Sequence, residues 1–165
     1  MSQENPYAPP TAAVADIGTA TAAPRPPLWN PGAAASWSLL LSPVFGAILH
    51  MKNWQAMGEP EKAATSKTWA IATVVLFSIS VVLSVALPDS KAVDLLSRLG
   101  GFALLIAWYY AIGKSQSPAI LARYGDNYPR KGWAKPLGLA LAALLAFVVL
   151  ATLVGFAAAT LSGNA

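Results

Sequence analysis

The sequence predicts an all-α integral membrane bundle of four hydrophobic helices behind a disordered amino-terminal tail. Three observations carry this. Residues 137–161 are twenty-five consecutive positions without a charge, LGLALAALLAFVVLATLVGFAAATL. As a helix they would reach roughly 37 Å at about 1.5 Å per residue, more than the roughly 30 Å hydrocarbon core of a bilayer. The chain is 56% hydrophobic and only 11% charged, where soluble domains are about 25% charged. Three more apolar runs precede the last one, at 33–51, 69–87 and 95–113.

Residues 1–28 are expected to form the tail. Seven of the thirteen prolines fall within the first 31 positions, among Ala, Thr and Gly. Such a stretch buries too little apolar surface to offset its ordering entropy. It has no basic start leading into an apolar run, so it does not read as a secretion signal. The membrane domain is expected over 29–165.

Asn30 and Pro31 mark a helix start, an N-cap followed by proline at the first helical position. Pro43 lies in the middle of segment 33–51 and should kink it. Gly58 and Pro60 end that helix and begin the next. Ser36, Ser38, Ser42, Pro43, Gly46 and His50 weaken the first segment as a membrane inserter. It either spans or re-enters. The second span is expected from Trp69 to Leu87, with a turn at Pro88-Asp89-Ser90. The third has an uncharged part, 99–113, of only fifteen residues. It crosses only if Asp94 and Arg98 lie at the interface. The two are four apart and can form an interfacial ion pair. Residues 114–136 read as a polar loop, partly helical through 119–124, and Leu137 opens the fourth span.

With four spans, residues 52–68 and 114–136 share one side. They carry Lys52, Lys62, Lys67, Lys114, Arg123, Arg130, Lys131 and Lys135, against Arg25, Lys91 and Arg98 opposite. Basic loops stay cytoplasmic, so both termini are expected outside. A re-entrant first segment would instead leave the tail in the cytoplasm, with the carboxyl terminus still outside. Trp54, Trp69, Trp108, Tyr109, Tyr110 and Trp133 flank the cytoplasmic boundary, where amphipathic rings concentrate.

Ala34, Ser38, Ser42 and Gly46 recur every fourth residue, a helix-packing stripe of the kind that lets helices approach closely in lipid. Thr73, Ser84, Gly138, Ala142 and Ala146 could supply facing surfaces. His50 is the single histidine. No second histidine or cysteine accompanies it, so no metal site is expected. Arg130, Lys131, Trp133 and Lys135 suit an anionic leaflet or a protein partner. The absence of cysteine excludes disulfides, thiolate metal sites and thiol nucleophiles. No catalytic constellation or phosphate-cradling glycine loop is present. The expectation is a protein that is not an enzyme and uses no cofactor.

Two stretches carry a resemblance. Asn30 to Ala47, NPGAAASWSLLLSPVFGA, followed by Asn53-Trp54 and Met57-Gly58, resembles the opening of small uncharacterised bacterial inner-membrane proteins. The loop Arg123 to Tyr128, with Trp133, Lys135 and Pro136, is similar to their later basic loop. The tail motif Asn5-Pro6-Tyr7-Ala8-Pro9-Pro10 resembles proteobacterial membrane-protein amino termini. The resemblance covers about a third of the chain and implies a multi-pass protein of the bacterial inner (cytoplasmic) membrane, with no activity attached. The expected role is an accessory, scaffolding or regulatory subunit. A small oligomeric channel or solute facilitator and an immunity-type membrane protein are the alternatives. The expected partners are membrane lipids and another membrane protein or a second copy, with no nucleic acid.

Overall fold

The structure is a computed structural model, and it describes residues 25–163. Most of the expected tail, with its Asn5–Pro10 motif, lies outside the described residues. Among these residues six α-helices follow one another: α1 Pro31–Leu40, α2 Pro43–Ala56, α3 Pro60–Ala86, α4 Lys91–Ala111, α5 Gln116–Tyr124 and α6 Ala134–Gly163. A 3₁₀ turn at Gly113–Ser115 joins α4 to α5. Among the described residues there is no strand, only a single isolated bridge between Leu28 and Arg130.

Among the described residues, three helical runs are long and apolar enough to cross a membrane: Pro60–Ala86, Lys91–Tyr124 and Ala134–Leu161. The expected first span is not among them. Segment 33–51 is divided between α1, of 10 residues, and α2, of 14. At 1.5 Å per residue these are roughly 15 and 21 Å long, about half and two-thirds of the hydrocarbon core, so neither crosses it. The break follows from Pro43, which lacks an N–H and pushes the residue before it out of the helical region. Ser42 is accordingly extended, at φ 168° and ψ 161°.

The break is a reversal, more than the kink expected from the sequence. His50 Nε2 lies 3.3 Å from the carbonyl oxygen of Pro31. Trp29, just before α1, is hydrogen-bonded to Asn53 near the end of α2. The two helices thus form an antiparallel hairpin whose ends lie together and whose tip is Leu41-Ser42-Pro43. α2 then turns at Gly58, whose φ of 75° only glycine adopts without strain, and runs antiparallel to the first half of α3. Ala47 shares one hydrophobic cluster with Ala70, and Trp54 shares another with Ala63.

α3 and α4 also pack antiparallel. Phe77 lies against Gly101, and the hydroxyls of Ser84 and Ser97 are 3.3 Å apart. α6 is different. None of its eighteen most apolar consecutive residues is buried. Its first turns pack on the described bundle, with Leu137 and Ala140 beside Ala34, Phe45 and Leu49.

Candidate functional site

The hairpin ends, the start of α3, all of α5 and the loop after it gather at one end of the bundle. This end holds the polar core. Asn53, fully buried, donates through Nδ2 to the Trp29 carbonyl at 2.8 Å and to Gln116 Oε1 at 3.0 Å, while its Oδ1 accepts from the Trp29 N–H at 3.0 Å. Gln116, equally buried, donates through Nε2 to the His50 carbonyl at 2.9 Å. A carbonyl only accepts, so the His50 nitrogen facing Pro31 carries the proton. Two amide side chains therefore tie the chain before α1, the body of α2 and the start of α5 into one knot. Each bond is worth about 0.5–1.5 kcal/mol net, and an amide left unpaired there would cost about 1–3 kcal/mol.

The knot sits against aromatic rings. Trp108 of α4 meets His50 edge to face, with centroids 5.2 Å apart. His50 Nδ1 and Trp108 Nε1 are buried without a hydrogen-bond partner among the described residues. Trp108 also covers Gly46: a Cβ there would lie 2.9 Å from Trp108 Cζ2 and closer still to Ser38 Oγ. Gly46 is therefore a place where only hydrogen fits. Ala34 and Ser38 of α1 and Gly46 of α2 are buried, so the small-residue positions meet each other across the hairpin. Ser42 stands at the tip, half-buried.

The amino-terminal segment is fastened to the basic loop. The Leu28 N–H donates to Pro129 O, and the Lys131 N–H donates to Leu28 O, both at 2.9 Å. Leu28, assigned above to the tail, is fully buried with Trp54, Met57, Ile120 and Tyr128. Arg25 donates to the Asn127 carbonyl. Lys131 Nζ lies 4.3 Å above the Trp29 ring, whose Nε1 donates to Gly132 O. Trp133 packs beside Ala34, Phe45 and Leu49. Arg130 stacks on Tyr128, and Lys135 points to a groove described below. Arg123 donates to Met57 O at 3.0 Å and reaches Glu59, closing the α2–α3 turn.

Asp94 and Arg98 form their pair at 2.9 Å near the other end, with side chains 59% and 74% exposed. That end holds two basic residues, Lys91 and Arg98, and two acids, Asp89 and Asp94. The knot end holds nine basic residues, Arg25 now among them, and only three acids, Glu59, Glu61 and Asp126. No group of acidic, histidine or cysteine side chains that could hold a metal ion exists among the described residues.

No known protein-family model, curated protein or solved structure matches this chain. Its reading therefore rests on geometry. Sequence reasoning did not single out Gln116 or Leu28, and it placed Trp108 at the membrane interface without its contacts to His50 and Gly46. Gln116 and Leu28 acquire their roles only through partners 66 and 102 residues away, a relation that no local spacing displays.

Proposed function

We propose that this chain is a non-catalytic accessory or scaffolding subunit of a bacterial inner membrane. It crosses three times, through α3, α4 and α6, and inserts the α1–α2 hairpin halfway from the cytoplasmic side. The charge asymmetry supports that orientation: nine basic residues at the knot end against two opposite favour keeping the knot end inside. The observation that carries the role is α6. It is a 30-residue helix, apolar all round, whose cluster contacts with the described bundle come from its first turns. A span left unburied by its own chain presents its surface to lipid or to a neighbouring membrane helix. Gly138, Ala142 and Ala146 on it permit close approach.

The knot end fits the same role. Its buried groups are amides bonded to backbone and to each other, packed against aromatic rings, an arrangement that fixes shape. Purification in mild detergent tests the reading. A stable stoichiometric membrane partner, lost when Ala142 and Ala146 are both replaced by Trp, supports it. Recovery of the chain alone, together with solute flux in proteoliposomes of the pure protein, overturns it in favour of a channel.

A further inference from the structure

A groove of about 690 Å³ runs between α2, α3 and α6. That volume falls within the roughly 300–1,000 Å³ of pockets that hold small ligands. Its walls are apolar: Val44 and Ile48 from α2, Phe77 from α3, Leu144 and Phe147 from α6. Its mouth, at the knot end, holds Lys52 and Lys135. Neither lysine forms an ion pair or a ring contact with another described residue, whereas Lys62, Lys114, Arg123, Arg130 and Lys131 at the same end all do.

Charge and depth together define the occupant. From Lys52 to Val44 is roughly 12 Å along α2, and from Lys135 to Phe147 roughly 18 Å along α6. Half of the hydrocarbon core is about 15 Å. The groove therefore starts with two unpaired cations at headgroup level and ends near the bilayer midplane, lined there by Leu41 and Ser42 of the hairpin tip and by Phe77 and Ser78 of α3. We propose that it is a binding site for one anionic phospholipid of the cytoplasmic leaflet, its phosphate between Lys52 and Lys135 and an acyl chain against Ile48, Phe77 and Leu144. The short hairpin makes the site: a full span in its place would fill the space that Leu41-Ser42-Pro43 leaves open. The inference rests on the proposed placement of the knot end among lipid headgroups.

The test is retention of lipid by the purified chain in detergent, read by native mass spectrometry. Phosphatidylglycerol and phosphatidylcholine with identical acyl chains are titrated against each other. Two basic residues near a lipid surface imply a preference for phosphatidylglycerol of roughly tenfold to thirtyfold. K52Q/K135Q should bring the ratio to about one, K91Q at the opposite end should leave it unchanged, and A143F, which fills the groove, should reduce retention of both lipids. Equal retention by the unaltered protein overturns the proposal whatever the variants do. So does a preference that survives K52Q/K135Q, or unreduced retention by A143F. Retention in detergent is independent of orientation, so a reversed topology in cells and a failed lipid preference would be separate results.

Discussion

Leu28 and Arg130 stand 102 positions apart and form a parallel bridge closed by two backbone hydrogen bonds of 2.9 Å. This contact fixes which side of the molecule residues 25–30 occupy. They lie beside the basic loop, at the end where α2 finishes and α3 begins.

The first prediction concerns topology. Cysteines placed at Pro26 and Ser117 should both be protected from a membrane-impermeant thiol reagent in intact spheroplasts, and one at Gly163 should be labelled. Labelling at Pro26 with protection at Ser117 would mean that the first segment crosses the membrane and that the Leu28 bridge does not form there.

Gly46 tests the hairpin. Its missing side chain leaves room for Trp108 and Ser38. Gly46→Leu should destabilise the protein by about 1–3 kcal/mol through overpacking, and even Gly46→Ala should lower the melting temperature in detergent. Melting at the unaltered temperature for both variants would place this face away from α1 and α4.

The buried amides and the exposed ion pair should differ in magnitude. Gln116→Ala strips the His50 carbonyl of its donor and Asn53 of an acceptor, all in the buried core. The expected cost is about 1–3 kcal/mol. Asp94→Asn breaks a well-formed pair on an exposed surface, where such pairs contribute about 0.2–1 kcal/mol. Chemical denaturation in a fixed detergent should rank the two in that order. The opposite ranking would locate the stability of the bundle at its other end.

Arg130, Lys131 and Lys135 should hold their loop against anionic lipid. A probe at Asn127 should be less accessible in nanodiscs containing anionic lipid than in neutral ones. Neutralising all three residues should remove the difference, and so should 1 M salt, where the screening length falls to about 3 Å. Equal accessibility in both nanodiscs would point to protein docking at this loop.

The three long helices could be read from the chain because each owes its existence to its own composition. The uncharged run 137–161 becomes the body of α6, Pro60 opens α3, and the Ser90 N-cap opens α4. The first segment was harder. Hydropathy over 33–51 sums to a span, and Pro43 announces an interruption without its angle. The angle is set by Asn53 reaching Trp29 and Gln116, and by Gly46 admitting Ser38, contacts between residues that are distant along the chain. The knot was hidden for the same reason. Asparagine and glutamine in loop-like surroundings carry no signal of burial until α5 is laid across α2.

The bridge between Leu28 and Arg130 also sets a clock. Translation proceeds at about 5–20 residues per second, so roughly 5 to 20 s separate the emergence of these two residues. Until residues 129–131 emerge nothing pairs with Leu28, and for most of that interval the hairpin also lacks Gln116 to satisfy its amide. For that time the first two helices remain unlatched, and a segment made late fastens one made early.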